Sequence, residues 1–432
     1  MDPIILGIIS LAAIIFMIAL GMRIAFAAAF VGIIGIIILR GWNPALQAVG
    51  YIPIGVVSEY GFSVLPLFIL MGYLAFYGGL SDESFDSVRK IVGHLRGGLA
   101  VATVFGCAAF AATSGASTAS CAIMGKIATP EMRKYGYGKK ISAAVVAASG
   151  TLASLIPPSV AIVLYGIITE ESIGALLIAG FIPGIVSAII YALMIVVWVK
   201  IFPQGRGFAP LPWNKRILAL KGLWGAILVL TIIIVGIYTG IFTPAEAGGI
   251  GAFVCFIIAL ARKRLSLDDL KQSLLETGKT TVMLFAIIIG VMFYIRFLAL
   301  SRTPAALAEA VLSWPVPRVI VMIGILALFG VLGMFMNAAS MMMLVVPVVL
   351  PAVINLGYDP IWFGIIVIKM VEVCLVSPPV GMNLYVTRSV VTDISFEELS
   401  LGVLPFLAMD LLTVALFFIF PGIITWLPSM II

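Results

Sequence analysis

Apolar residues in this chain fall in long unbroken stretches, and the polar ones are confined to the gaps between them. A stripe recurring every three or four positions would mark a helix on a soluble core. Stretches apolar on every side mark helices surrounded by lipid or by other helices. At about 20 residues per crossing, the runs at 4–21, 24–39 and 62–79 predict three spans. The charged, amphipathic stretch 81–96, with Asp82, Glu83, Asp86, Arg89 and Lys90, is too polar to cross and predicts a helix lying along the interface. From Gly97 to about Pro130 a run is interrupted by Thr113-Ser114-Gly115-Ala116-Ser117-Thr118. Two arms, each shorter than a crossing, with a polar tip between them, suit a re-entrant helical hairpin. A span at 141–168, broken by Ile156-Pro157-Pro158-Ser159, and another at 174–200 complete this half.

The second half repeats the order. Spans are predicted at 223–240, 244–261 and 276–299, then an amphipathic stretch at 302–314. A broken hairpin at 317–354 has its tip at Asn337-Ala338-Ala339-Ser340, a span at 361–390 is interrupted by Val376-Ser377-Pro378-Pro379, and a last span covers 400–422. Pro157-Pro158 and Pro378-Pro379 are 221 residues apart, and so are Gly136-Tyr137 and Gly357-Tyr358. Two anchors at one offset, each within the same run of elements, point to an internal repeat. The predicted fold is an all-α polytopic membrane protein of two repeats, 1–200 and 223–432, joined by a cytoplasmic linker at 201–222. Each repeat holds five spans, one re-entrant hairpin and one Pro-Pro broken helix. An odd number of spans turns the second repeat upside down relative to the first, so the repeats are inverted.

Charge placement sets the orientation. With the N-terminus outside, inner loops hold Arg23, Arg89, Lys90, Arg96, Arg133, Lys134, Lys139, Lys140, Lys200, Arg206, Lys215, Arg216, Lys221, Arg262, Lys263, Arg264, Lys271, Lys279 and Arg388, with Lys126 on the returning arm of the first hairpin. Arg40, Arg302 and Arg318 remain outside, and Arg296 and Lys369 fall within spans. The positive-inside rule therefore places both termini outside, the first hairpin on the inner side and the second on the outer side. Of 432 residues, 63% are hydrophobic and only 10% charged, which belongs in a bilayer. The net charge of +6 is accounted for by these loops, and no basic-aromatic surface for nucleic acid is visible. Four scattered cysteines and a single histidine, His94, leave almost nothing for a zinc or iron site. The start Met-Asp-Pro-Ile-Ile lacks a basic region and a small-residue cleavage site, so 4–21 is read as a retained span.

Chemistry is expected where the helices break. Proline removes an N–H and pushes its ring against the carbonyl four residues earlier. Pro157 and Pro158 thus free the carbonyls of Ala153 and Ser154, and Pro378 and Pro379 those of Cys374 and Leu375. Bare carbonyls and half-helix C-termini suit sodium, while half-helix N-termini face anionic groups. Ser114, Ser117, Thr118, Asn337 and Ser340 add hydroxyl and amide oxygens for a hard cation, and the second hairpin arms add N–H groups for a carboxylate. The alternative is that the paired prolines only kink two spans, with neighbouring Ser or Thr repairing the backbone. Lys369 and Glu372, three apart on one helical face, are expected to pair, either for coupling or gating or to fix a helix interface. No role is assigned to Arg296 or Asp410. Gly278-Lys279-Thr280 is not a phosphate loop, because Ser273 stands at the earlier glycine position, so no nucleotide is expected. Thr243-Pro244-Ala245-Glu246 predicts a capping box that starts a span.

The runs Ser114-Gly115-Ala116-Ser117, Thr129-Pro130-Glu131-Met132, Gly136-Tyr137 and Ile156-Pro157-Pro158-Ser159 resemble the large membrane subunit of tripartite ATP-independent periplasmic (TRAP) transporters, the DctM family. Ser377-Pro378-Pro379-Val380-Gly381 and Thr243-Pro244-Ala245-Glu246-Ala247 are similar to it too, and the likeness covers essentially the whole chain. The resemblance implies a sodium-driven secondary carrier for an organic acid anion, C4-dicarboxylate-like or sialic-acid-like, in the bacterial inner membrane. It implies two partners, a small four-span membrane subunit (DctQ-like) and a periplasmic solute-binding protein (DctP-like), with no cofactor beyond Na⁺ and no enzymatic activity. It further implies an elevator motion, in which hairpins and broken helices (97–168 and 317–390) slide against a scaffold of the remaining spans, 1–80 and 223–299 among them. The stretches 81–96 and 302–314 would be the arms.

Carried onto this chain, one sodium site would use Ser114 and Ser117 with carbonyls around Ala153, Ile156 and Pro158, and the other Asn337 and Ser340 with Cys374, Ser377 and Pro379. Substrate would meet Ser114, Gly115, Ser117, Thr118, Pro158, Ser159, Asn337, Ala338, Ser340, Pro379 and Gly381. Many relatives carry an aspartate three residues after the first-tip serine, where this chain has Ser120. The nearest rival is a stand-alone sodium-coupled anion symporter of the same architecture. A channel, an ATP-driven permease subunit and an intramembrane enzyme with Ser114 or Ser159 as nucleophile fit the residues less well.

Overall fold

Lipid on the outside and broken helices on the inside set the architecture of the chain. A computed structural model describes residues 2–95, 97–202, 205, 211–313, 315–334 and 336–430, and omits the side chains of residues 19, 311 and 312. Arg96, Arg206, most of the stretch from 203 to 210 in the predicted linker, and residue 314 at the end of the second predicted arm lie outside the described residues. Every regular element among the described residues is helical.

Among the described residues, seven helices are long and apolar enough to cross a bilayer: Tyr60–Tyr77, Ile173–Ile201, Trp213–Tyr238, Pro244–Ala261, Leu267–Ser301, Ala338–Asn355 and Phe396–Ile419. Pro3–Ala19 and Ile24–Arg40, where the first two spans are predicted, are apolar helices of 17 residues each. The two Pro-Pro segments divide as the prolines require, into Lys139–Gly150 and Val160–Thr169 in one case and Pro360–Val376 and Met382–Val390 in the other. Both amphipathic stretches are helices, Leu80–Val92 and Thr303–Ser313. The capping box at Thr243 is present, with the Thr243 N–H donating to Glu246 Oε2 at 2.8 Å and the Glu246 N–H donating to Thr243 Oγ1 at 3.3 Å.

Two elements escape the apolar-run reading. Trp42–Ser58 is a helix where the sequence predicts no element, because Asn43, Gln47, Gly50 and Pro53 interrupt the run. Only Ala45, Ile52 and Val56 are buried on it, one narrow stripe set against Ile24–Arg40 and Leu267–Ser301. Trp213–Ala219 is a second, within the predicted linker, and continues through one tight turn into Trp224–Tyr238.

Large apolar side chains such as Phe16, Phe26, Leu193, Phe253, Val282, Ile323 and Ile419 stand exposed on the outer helix faces, while Ser120, Lys369, Glu372, Asn383 and Asp410 are buried. This arrangement reverses the water-soluble rule and fits a hydrocarbon surround. Without a hydrophobic drive between helices in lipid, association depends on close backbone approach at small residues. Ile24–Arg40 and Leu267–Ser301 meet in this way: a methyl at Gly32 would lie 2.6 Å from the Phe293 carbonyl carbon, and one at Gly290 2.0 Å from the Ala25 carbonyl oxygen. The arm helix Leu80–Val92 buries Leu80, Phe85 and Val88 and turns its charges outward. Arg262 forms an ion pair with Glu83 at 2.6 Å, and Arg89 donates to Asp86 and to Glu131, each at 2.6 Å, which ties this helix to the end of Pro244–Ala261 and to the first hairpin.

Gly290→Leu should therefore force the two backbones apart and destabilise the purified protein by about 1–3 kcal/mol, the usual range for overpacking. Gly249→Ala, whose added methyl would meet only Leu67 Cδ1 at 3.8 Å, should leave the melting temperature unchanged. Thermal unfolding of both variants in detergent checks the pair.

Candidate functional site

The first hairpin consists of Gly98–Ser114 and Ser117–Lys134. Gly115 at its tip has φ +58°, and a methyl there would sit 2.5 Å from the Pro158 carbonyl oxygen, so glycine is required both for the turn and for the approach. The Val160 N–H donates to the Gly115 carbonyl at 3.3 Å, seating the tip on the first broken helix. The hydroxyls of Ser114 and Ser120 are 3.2 Å apart inside the tip. The second hairpin consists of Arg318–Gly333 and Ala338–Asn355. Asn337 caps its returning arm by accepting the Ser340 N–H at 2.8 Å.

The broken helices satisfy part of their own backbone. The Ser159 hydroxyl donates to the Ser154 carbonyl, and the Ser377 N–H donates to the Cys374 carbonyl at 3.2 Å. Two of the four carbonyls that the prolines free are thus engaged by the neighbouring Ser159 and Ser377. The Ser377 hydroxyl is likewise turned inward, donating to the Val373 carbonyl at 2.7 Å. Sequence reasoning missed Asn383, on the far arm of the second broken helix. Its amide nitrogen donates to Ser117 Oγ at 2.7 Å and to the Ala147 carbonyl at 3.3 Å, joining the second broken helix to the first tip and the first broken helix.

Both tips open on one cavity of about 330 Å³. Ser114, Gly115, Ser117, Thr118, Asn337 and Ala338, all predicted as site residues, line it together. Ser154 and Leu375 contribute from the broken helices, and Tyr73, Phe76, Thr280 and Met283 form the opposite wall. That wall comes from Val64–Tyr77 and Leu267–Ser301, and sequence reasoning gave it no part in the site. Tyr73 and Thr280 are joined there by a 3.4 Å hydroxyl contact. The other predicted residues, Ala153, Ile156, Pro158, Ser159, Ser340, Cys374, Ser377, Pro379 and Gly381, are not among the cavity lining. Pro158 lies behind Gly115, and Cys374 is turned away, its thiol donating to the Phe329 carbonyl at 3.3 Å.

No charged side chain is among the described residues lining the cavity. Its polar character comes from hydroxyls, the Asn337 amide and helix ends. The 18-residue arm Ser117–Lys134 begins at the cavity with no side chain capping its first N–H groups. Unmet N–H groups at a helix start form an anion site.

The family model described as "Tripartite ATP-independent periplasmic transporter, DctM component" matches residues 11–423. The chain belongs to that family. It is 35% identical to the C4-dicarboxylate TRAP transporter large permease protein DctM of Pseudomonas aeruginosa, covering 86% of this chain and 85% of the relative. It is 32% identical to the sialic acid TRAP transporter large permease protein SiaM of Vibrio cholerae, covering 95% of each. The isethionate TRAP transporter permease protein DctMQ of Oleidesulfovibrio alaskensis is 31% identical over 85% of this chain and 59% of its own length. The fold is similar to that of the YdaH transporter of Alcanivorax borkumensis, with a TM-score of 0.64 at 16% identity and 90% of each chain covered.

Away from the cavity, the DctM-family chain buries an ion cluster. Lys369 and Glu372 pair at 2.7 Å as their spacing predicts, and Asp410 joins them at 2.7 Å from the Lys369 ammonium. Arg296 lines a separate groove with Tyr51 and Glu59.

Gly115→Ala should lift the first tip off Pro158 and abolish solute uptake while the protein still inserts and purifies. Retention of wild-type uptake would show that the tip need not be seated in this way.

Proposed function

We propose that this chain is the large permease of a sodium-driven uptake system for a small organic acid anion of the C4-dicarboxylate or sialic acid kind. It works in the bacterial inner membrane, termini on the periplasmic side, with a four-span small membrane subunit and a periplasmic binding protein. The observation that carries the reading is the shared cavity, where the uncapped start of Ser117–Lys134 and the Asn337-capped start of Ala338–Asn355 converge among hydroxyls. Helix starts suit a carboxylate. Yet an anion moved into a cavity without a fixed positive charge is unfavourable on its own. A sodium ion held by tip oxygens and broken-helix carbonyls would supply the missing charge, so the chemistry of the cavity supports co-transport.

The tripartite family name, the DctMQ name of one relative and the C4-dicarboxylate, sialic acid and isethionate names of others support the partners and the substrate class. The recurring order of hairpin and Pro-Pro broken helix in each half supports the inverted repeats, 1–200 and 223–432. The packing supports an elevator division. Asn383 to Ser117, Tyr165 to the Pro360 carbonyl at 2.7 Å and Cys374 to the Phe329 carbonyl at 3.3 Å join hairpins and broken helices of both halves into one block. Against Val64–Tyr77 that block presents a smooth contact, where a methyl at Gly72 would lie 2.8 Å from the Ser114 carbonyl oxygen. Ile173–Ile201 and Phe396–Ile419 pack on the block through the buried cluster of Tyr191, Lys369 and Asp410, so we assign them to it and not to the scaffold of remaining spans.

Uptake of labelled organic acids into proteoliposomes holding this chain and its small partner tests the reading, with and without an inward sodium gradient and the binding protein. Uptake that needs both is expected. Uptake with sodium alone would move the chain to the stand-alone symporters of the same architecture, and sodium-independent uptake would overturn the coupling. Replacing Pro157 and Pro158 together by Ala should restore the helix and remove the carbonyl set, so sodium dependence should be lost. A double variant with the wild-type sodium response would sink the proposed ion site.

A further inference from the structure

The tip cavity has two unlike sides. Ser114, Ser117, Thr118 and Asn337 stand on the hairpin side. The side formed by Val64–Tyr77 and Leu267–Ser301 presents Phe76, Met283, Leu284 and Ile287. Tyr73 and Thr280 are the polar side chains there, and their hydroxyls lie 3.4 Å from each other. Methionines reach the cavity from three helices: Met283 from Leu267–Ser301, Met342 from Ala338–Asn355 and Met382 from Met382–Val390. Thioether side chains are flexible and polarisable, and they pack around apolar shapes of varied outline. At about 330 Å³ the cavity falls within the range of small-molecule pockets, roughly 300–1,000 Å³, with room for a body beyond one carboxylate.

These walls decide what that body can be. No charged side chain lines the cavity among the described residues, so no fixed cation can balance a second carboxylate. The second helix start is not an equal seat for one. Asn337 Oδ1 accepts the Ser340 N–H there at 2.8 Å, whereas no side chain caps Ser117–Lys134. A carboxylate held against Phe76, Met283 and Leu284 would lose its water with no partner in return, which is strongly unfavourable. The hydroxyls of a sugar-like body would lose hydration in the same way, and on that side only Tyr73 and Thr280 offer a replacement. An apolar body, by contrast, gains by leaving water for such a wall.

We propose that the solute of this cavity is a monocarboxylate with a compact apolar body, its carboxylate at the hairpin tips and its body against Phe76 and Met283. The inference rests on the proposed carriage of an organic acid anion and narrows it to the single-carboxylate side of that class, with few hydroxyls on the body. Phe76 and Met283 are then specificity-determining residues, contributed by helices outside the hairpins and broken helices.

Equilibrium binding to the purified complex of this chain and its small membrane partner tests it, in lipid nanodiscs and sodium buffer without the binding protein. The probes are 3-phenylpropanoate, succinate and sialic acid, with 3-phenylpropanol as the control for partition into lipid. 3-Phenylpropanoate is expected to bind at least about 10-fold tighter than succinate or sialic acid, the low end of what an apolar contact contributes to discrimination. The alcohol should show no saturable binding. Met283→Ser, at a position 55% exposed and so tolerant of the change, should narrow the preference several-fold. Succinate or sialic acid binding as tightly as 3-phenylpropanoate, or the alcohol binding as well as the acid, would overturn the proposal and leave the transport reading standing. So would an equal weakening of all three acids in Met283→Ser, which would make the wall a sliding surface only. The wild-type comparison stands by itself if the variant fails to fold. Saturable binding of none of the three acids would overturn the transport reading, and this inference with it.

Discussion

An unpaired peptide group in hydrocarbon costs several kcal/mol, and the rest of this structure depends on that constraint. The chain interrupts its helices at Gly115-Ala116, at Pro157-Pro158, before Asn337 and at Pro378-Pro379. Each interruption exposes donors or acceptors that lipid cannot meet, so all four must lie within protein. The economical solution is to let the breaks serve one another. Gly115 accepts from Val160, Ser159 donates to Ser154, and Asn383 reaches from the second broken helix to Ser117. What these contacts leave unmet is concentrated at the cavity between the tips, where a ligand can meet it. The site is thus the residue of the backbone accounting, placed between the two tips.

Electrostatics divides along the same line. The cavity has no charged side chain among its described lining residues, so it binds through dipoles that cost little to leave unoccupied. The full charges are placed elsewhere, in the Lys369–Glu372–Asp410 cluster, where they hold three helices together and cannot reach a solute. A fixed lysine in the cavity would bind an organic anion more tightly but would also hold it. Under the proposed transport reading, dipoles with a co-bound cation would let the charge leave with the cation, which suits a carrier.

The outer features of this architecture are legible in the residues because hydrocarbon enforces them. Long apolar runs, Pro-Pro pairs at one offset and basic residues between runs all follow from rules that act locally. The tip residues were legible for the same reason: Ser114, Ser117, Thr118 and Asn337 stand out as polar positions amid apolar arms, and they do line the cavity. What stayed hidden depends on three-dimensional approach. Trp42–Ser58 has too many polar positions to form an apolar run, and its helix is set by one narrow buried stripe. Asn383 and Asp410 lie far along the chain from Ser117 and Lys369, and nothing in local pattern pairs them. Tyr73 and Thr280 join the site only because two helices outside the hairpins wall it. Equally, the proline rule identifies the freed carbonyls and leaves open whether neighbouring serines meet them; Ser159 and Ser377 meet two.

The distribution of strong and weak contacts carries the last step. Hydrogen bonds and ion pairs between distant parts of the chain join the hairpins and broken helices to one another and to Ile173–Ile201 and Phe396–Ile419, while others, such as Ser10–Tyr294 and Tyr73–Thr280, lie wholly among the remaining spans. The contact between that block and Val64–Tyr77 is made instead by Gly72 against the Ser114 backbone and by apolar side chains such as Ile69 and Phe76. Dispersion contacts are individually weak and can be exchanged for similar ones after a displacement, whereas buried polar pairs must be broken before they re-form. Under the proposed transport reading, a surface of the first kind is what a sliding boundary needs, and bonds of the second kind are what a rigid moving body needs. The helical arm Leu80–Val92, pinned through Glu83 to Arg262 on one side and through Arg89 to Glu131 of the first hairpin on the other, spans the two regions and limits how far they can part.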